Sequence, residues 1–157
     1  MRNLTRVLIL AGLVAACSDD AVSPQADPLA QFVGTWNASS FVYTSVDNPG
    51  VAVPVLQVIP GSSVSVVIAA DGTFVAPLNL GPQTNGQTVS IPGTIAPEGG
   101  NRITVTFATN PFFTAPLDVT FGFQTANTLS WEAPATFDFN QDGENTPAIL
   151  TVVFQRN

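Results

Sequence analysis

The densest group of oxygen-bearing side chains lies near the C-terminus. Asp138, Asn140 and Asp142 stand at alternate positions, and Gly143 and Glu144 follow them. Carboxylate and amide oxygens with this spacing, and a glycine at the sixth position for a sharp turn, are typical of loops that bind Ca²⁺. The sequence therefore contains one candidate metal site, in which the three side chains and the carbonyl of Glu144 are the predicted ligands.

The rest of the segment argues against a helix–loop–helix calcium site. Such a site needs a bidentate acid at position 12, and Ile149 stands there. The residues on either side of the loop alternate between apolar and polar, as they do in β-strands. A weak calcium site, with a Kd of about 10⁻⁴–10⁻³ M, requires another acid such as Glu132 to reach in from a neighbouring loop. The favoured alternative is an acidic turn between two strands, whose Asp and Asn side chains bond to their own backbone. No other cofactor is predicted.

Several kinds of catalysis are excluded by composition. The chain has no histidine and no lysine, and Cys17 is its single cysteine, which removes Ser-His-Asp and Cys-His catalysis and the usual zinc sites. A carboxylate pair such as Asp118 and Glu132 is the remaining acid–base chemistry. Because nothing in their spacing distinguishes them from surface acids, we expect a protein that is not an enzyme.

The N-terminal residues have the features of an export signal. Arg2 and Arg6 precede the apolar run 7–16, which suits a signal-peptide core, whereas a membrane-spanning helix needs about 20 residues. The motif Val14-Ala15-Ala16-Cys17 resembles a bacterial lipobox. The resemblance implies a signal peptide at residues 1–16 and a Cys17 that carries diacylglycerol and fatty acid such as palmitate. An ordinary secretory signal with an incidental cysteine is the alternative.

The same resemblance implies a lipid-anchored protein of the bacterial cell envelope, with the membrane as a partner through Cys17. Ser18 replaces the Asp that marks inner-membrane retention in some bacteria, so we expect the outer membrane. Residues 17–30 are polar and contain two prolines, which indicates a flexible tether before a domain at 31–157. After Cys17 two arginines stand against eleven acids, a side-chain charge of −9, so no nucleic-acid partner is expected.

From residue 32 onward, apolar and polar residues alternate with the period of half-buried strands. We expect eight to ten strands in an antiparallel up-and-down β-barrel, with a β-sandwich as the alternative. The segment 70–73 (Ala-Asp-Gly-Thr) predicts a hairpin with a tight primed turn. Prolines 54, 60, 77, 92 and 116 predict strand edges, bulges or ends, because proline donates no ladder hydrogen bond.

The segment Gly34-Thr35-Trp36 at the predicted start of the first strand resembles the opening of a lipocalin-like domain. The resemblance implies that Trp36 closes one end of the barrel and that a late basic residue, here Arg156, stacks on it. Inward aromatic residues could then line a pocket for a small apolar ligand or simply fill the barrel: Phe107, Phe121, Phe123 and Phe154. Two interpretations follow, a ligand carrier and a non-catalytic structural or interaction module with a filled core.

Overall fold

The computed structural model describes residues 27–108 and 116–157, which form nine strands and two short helical segments. The strands are β1 Gly34–Ser45, β2 Ala52–Pro54, β3 Ser63–Ile68, β4 Thr73–Asn79, β5 Val89–Gly99, β6 Arg102–Phe107, β7 Leu117–Thr125, β8 Thr128–Phe137 and β9 Thr146–Arg156. Helix α1 is Val55–Val58, and a 3₁₀ turn spans Gly81–Thr84. The predicted signal peptide and the lipidation site Cys17 lie outside the described residues.

Eight of the strands close into an antiparallel up-and-down barrel. Each strand from β3 to β8 pairs with the next along the chain, and β1 pairs with both β3 and β9. The closing ladder is long, since it runs from Trp36 opposite Arg156 to Ser45 opposite Ala148. The short β2 pairs with the end of β1, beyond β3. The predicted all-β barrel is confirmed, and the sandwich alternative is wrong.

Alternation along the strands explains which side chains fill the interior. In β8, Leu129 and Ala133 are buried while Glu132 is exposed, and the same alternation continues along β9. The inward residues of all eight barrel strands join one hydrophobic core. Because an eight-stranded barrel is only wide enough to be filled by side chains or to hold one small ligand, the size of those inward residues decides which of the two occurs.

A bulge in β1 changes which side chains face inward. The β1–β9 register shifts between Ala38 and Ser40, so one extra residue stands in β1 and the faces exchange beyond it. Trp36 is buried before the bulge, and Phe41 is buried after it. Uninterrupted alternation from Trp36 would place Phe41 and Tyr43 on the other face. That expectation is wrong, and both rings lie inside the barrel.

Of the five prolines considered in the sequence, Pro77 and Pro92 lie inside strands, contrary to the predicted edges, bulges or ends. Pro77 lies inside β4 opposite Ser90, and Pro92 lies inside β5 opposite Val75. The β3–β4 ladder is interrupted at Pro77 and resumes in the same register on the other side. The barrel therefore accommodates the missing donor by a local gap between two strands, and it still closes.

The predicted hairpin at residues 70–73 joins β3 to β4. Gly72 has a φ of 82°, and its N–H donates to the Ala69 carbonyl. Asp71 accepts hydrogen bonds from the hydroxyl and the N–H of Thr73, which lower the pKa of its exposed carboxyl. Within this turn Gly72 alone has a positive φ, whereas a type I′ turn requires two such residues. The hairpin is confirmed, but the predicted primed turn is wrong.

Candidate functional site

One end of the barrel is sealed by aromatic side chains. Trp36 is fully buried, and its Nε1 donates to the carbonyl of Phe32 at 2.7 Å. The ring of Phe32, itself 1% exposed, lies edge-on to Phe121 with centroids 4.8 Å apart and contacts Phe123 at 5.5 Å. Leu29 packs against the same core. The segment before β1 therefore crosses this end of the barrel and closes it.

Arg156 completes the seal from β9. Its guanidinium carbon lies 4.3 Å from the centroid of the Trp36 ring, which is the geometry of a cation–π contact. One of its terminal nitrogens donates to the carbonyl of Gln31. The β1–β9 register brings this pair together, since Trp36 and Arg156 stand directly opposite each other. Arg156 thus links the last strand to the first strand and to the segment that covers the end.

The interior beyond this seal holds an apolar cavity of about 110 Å³. Its wall includes Phe41 and Tyr43 of β1, Ala76 of β4, Val105 of β6 and Phe154 of β9. Phe41 and Tyr43 follow Trp36 along β1, so the cavity lies in the half of the barrel away from the sealed end. This volume is below the roughly 300–1,000 Å³ of sites for drug-sized ligands. It approaches the roughly 150 Å³ of an engineered apolar cavity that binds benzene.

Trp131 contributes the indole in the cavity wall. It projects from β8 and lies edge-on to Phe154, with ring centroids 5.1 Å apart. Its Nε1 is buried and has no hydrogen-bond partner among the described residues. Buried donors in native proteins are nearly always paired, so the wall of an otherwise apolar cavity includes a residue with an unused donor.

Tyr43 is a second aromatic residue with a polar end in the wall. Its ring stacks on Phe137 with centroids 4.5 Å apart and meets Phe41 edge-on at 5.6 Å. Burial disfavours the charged phenolate and raises the pKa of Tyr43 to about 12. The hydroxyl is therefore neutral at physiological pH, and the cavity presents aromatic surface without charge at this position.

The candidate calcium loop adopts a turn held by its own side chains. Asp138 accepts hydrogen bonds from the N–H groups of Asp142 and Gly143, and Asp142 accepts from the N–H of Glu144 and the amide of Asn140. These are the bonds of the acidic turn considered above. Both carboxylates are thus already engaged. In the part of the chain that the structure describes, no three His, Cys, Asp or Glu side chains cluster in a way that could hold a metal ion.

The carboxylates considered for acid–base chemistry lie on the outside of the barrel. Asp118 of β7 and Glu132 of β8 are both exposed, and neither borders the interior cavity. Neither is therefore placed where a ligand enclosed by the barrel would meet it.

The outer face of the barrel also carries an apolar groove. It extends over β3, β4, β5 and β6 and has a volume of about 720 Å³. Val67 lies opposite Val75, which in turn lies opposite Pro92, so three apolar residues adjoin across three strands. Val67 and Val75 are 46% and 45% exposed. Exposed apolar surface of this kind is a candidate contact site for another molecule.

The residues predicted to bind a ligand or close the barrel fall into two groups. Phe107 and Phe154 line the cavity, whereas Trp36, Phe121, Phe123 and Arg156 lie at the sealed end. Sequence reasoning missed Tyr43 and Trp131 as wall residues. The alternation of Leu129, Trp131 and Ala133 with polar neighbours could have predicted that Trp131 faces the interior. The inward position of Tyr43 could not be predicted in this way, because the bulge in β1 interrupts the alternation.

Across residues 27–108 and 116–157, no helix is long and apolar enough to cross a membrane. Comparison of the chain with protein-family models and with curated proteins found no match to either.

Proposed function

We propose that this protein is a lipid-anchored component of the bacterial cell envelope that binds a small apolar molecule inside a lipocalin-like barrel. The observation that carries the proposal is the apolar cavity of about 110 Å³ that inward side chains of the strands enclose beyond the sealed end. Binding there is passive. The wall residues remove the apolar surface of the ligand from water, which contributes roughly 25 cal/mol per Å² buried.

The dimensions of the cavity limit the ligand. A volume near that of a benzene-binding cavity admits about one ring or a short branched chain, and the aromatic wall of Phe41, Tyr43 and Phe154 favours a flat molecule. The sealed end at Trp36 and Arg156 keeps water and ligand from passing through the barrel. It also holds the strands in the register on which the cavity depends.

The experiment that tests this proposal compares small molecules that co-purify with the native chain and with Ala76→Leu. Leucine at this wall position fills the cavity from β4, and Ala96→Leu on the exposed side of β5 is the matched control. Mass spectrometry of heat-released material should find an apolar molecule with the native chain and with Ala96→Leu, and less of it with Ala76→Leu. Equal amounts from all three would place the molecule elsewhere and refute the proposal.

The lipid anchor has its own test. Mass spectrometry of the mature protein should show an N-terminal Cys17 that carries diacylglycerol and a further acyl chain such as palmitate. Two or more acyl chains give stable anchoring. Cys17→Ala should abolish both the added mass and the membrane association, and an unmodified Cys17 in the native chain would remove the anchor from the proposal.

A non-catalytic interaction module is the second candidate function. Two observations favour it: the cavity is smaller than most ligand sites, and the groove at Val67 and Val75 exposes apolar surface on the outer face. In this role the filled barrel is a scaffold and its outside contacts another envelope protein. Cross-linking in the native envelope that is lost in a Val67→Thr, Val75→Thr double variant, but retained in Ala76→Leu, would favour this role over ligand binding.

A further inference from the structure

The two indoles of the chain have opposite hydrogen-bonding states. Trp36 Nε1 donates to the Phe32 carbonyl at 2.7 Å, which the seal requires. Trp131 Nε1 is equally removed from solvent but has no partner among the described residues. Burial of a donor without a partner is unfavourable, and each such group in a native protein calls for an explanation. The position of Trp131 in the cavity wall supplies one.

The surroundings of Trp131 determine which group could accept a hydrogen bond from its indole N–H. The described wall contains no charged side chain, and Ser65, one of its few polar members, has its hydroxyl directed to the Pro77 carbonyl at 3.5 Å. The other neighbours are aromatic or aliphatic, including Phe154 at 5.1 Å. Small-molecule sites typically combine such an apolar wall with few polar groups that fix the ligand's orientation. A charged ligand finds no counter-charge here, so a neutral one is favoured.

We propose that Trp131 is the specificity-determining residue of the cavity, and that it selects neutral single-ring molecules bearing one hydrogen-bond acceptor, such as a ring nitrogen or a carbonyl oxygen. The inference rests on the proposed ligand-binding function and adds the chemical class of the ligand. The ring occupies the apolar space between Phe41, Tyr43 and Phe154. The acceptor pairs with Nε1 of Trp131, which satisfies a donor that a purely apolar ligand leaves unpaired.

Benzene and pyridine test this inference because they have nearly the same shape, while pyridine alone has an acceptor nitrogen. The mature chain, labelled with ¹⁵N and ¹³C and kept in detergent, is titrated with each probe well above the pKa of pyridinium. Only two indole N–H signals exist, from Trp36 and Trp131, and Trp131→Phe assigns them. Pyridine should move the Trp131 indole proton to lower field than benzene does, and the Trp36 signal should stay in place.

Affinities give an independent measure. The ratio of the pyridine to the benzene binding constant should be about five-fold higher in the native chain than in Trp131→Phe, which is the factor expected of a typical net hydrogen bond. Phenylalanine keeps an aromatic ring in the wall but lacks the donor. If this variant does not fold, the indole shift in the native chain still decides the question.

The outcomes separate the two proposals. Equal indole shifts with both probes, together with binding of both, would overturn the role of Trp131 and leave ligand binding intact. If neither probe perturbs the methyl signals of Val105 and Leu150 in the cavity wall, the proposed function fails, and the inference about Trp131 fails with it.

Discussion

The ionisation of Tyr43, the single tyrosine of the chain, tests directly whether the interior of the barrel is shielded from water. Burial among Phe41, Phe137 and the neighbouring wall raises the pKa of Tyr43 to about 12, whereas an unfolded chain has a tyrosine pKa of about 10. Raising the pH should therefore deprotonate Tyr43 in the folded protein about two pH units later than in the unfolded chain. The sequence contains no lysine, so few other side chains titrate in this range.

The stability consequence follows from proton linkage. Between pH 10 and 12 the folded state holds the proton that the unfolded state has lost, so stability falls as the pH rises. The contribution of Tyr43 is fully present below about pH 10 and is reduced by about 1.4 kcal/mol at pH 11, because each pH unit between the unfolded and folded pKa values removes about 1.4 kcal/mol of stability. Its loss approaches about 2.7 kcal/mol above the folded-state pKa.

Two measurements check this prediction. The near-ultraviolet absorbance of tyrosinate reports the ionisation of Tyr43 alone, and urea unfolding at about pH 9 and about pH 11 reports the free energy of unfolding. Tyr43→Phe is the control, because it keeps the ring that stacks on Phe137 and removes the titrating hydroxyl. A native absorbance midpoint near pH 10, or equal pH dependence in the native chain and in Tyr43→Phe, would refute the desolvation of Tyr43 in the folded protein.

Three further predictions address packing, the seal and the loop. Gly93→Ala should destabilise the barrel by about 1–3 kcal/mol, since the new Cβ would collide with the Phe74 ring and the Thr106 carbonyl, whereas Gly122→Ala on β7 should cost less in the same urea titration. Arg156→Gln should cost about 1–2 kcal/mol through the lost cation–π contact and hydrogen bond, and the matched change at exposed Arg102 should stay within about 0.5 kcal/mol. Millimolar Ca²⁺ should leave the melting temperature unchanged, because Asp138 and Asp142 of the 138–144 loop already accept backbone hydrogen bonds.

Each of these predictions has a contradicting result. Equal stability of the two glycine variants would mean that Phe74 does not press on the β5 backbone. Equal losses at the two arginines would show that Arg156 acts as an ordinary surface charge. A melting temperature that rises with Ca²⁺, but not with Mg²⁺ at equal ionic strength, would establish a calcium site at residues 138–144.

Period-two alternation predicted the barrel because it is set by a local rule: successive side chains of a strand point to opposite faces. That rule sufficed for β6 to β9, where Ile103, Val119, Leu129 and Phe154 are buried as the pattern requires. The position of Trp36 at the start of β1 was also readable from the sequence. Its partner Arg156 could be suggested only by the family resemblance, since 120 residues separate them.

The interior was less predictable because it depends on register. One extra residue in β1 moves Phe41 and Tyr43 to the inside, and no sequence pattern marks the bulge. The positions of two prolines within the sheet were also not predicted from the sequence. Pro77 lies within β4 because a local gap in the β3–β4 ladder is tolerated where the pairs on either side hold the register, and Pro92 lies within the uninterrupted β4–β5 ladder. A cavity is a small difference between the space enclosed and the volume of the side chains, and alternation alone carries no information about that difference.

Benzene binding tests the central claim most directly. Thermal unfolding should be followed with and without benzene in the native chain, in Ala76→Leu and in Ala96→Leu. At a tenfold excess over its Kd, benzene should stabilise the native chain and Ala96→Leu by about 1.4 kcal/mol, seen as a higher melting temperature, and it should have little effect on Ala76→Leu. An unchanged melting temperature in the native chain, or an equal rise in all three proteins, would contradict a ligand site inside the barrel.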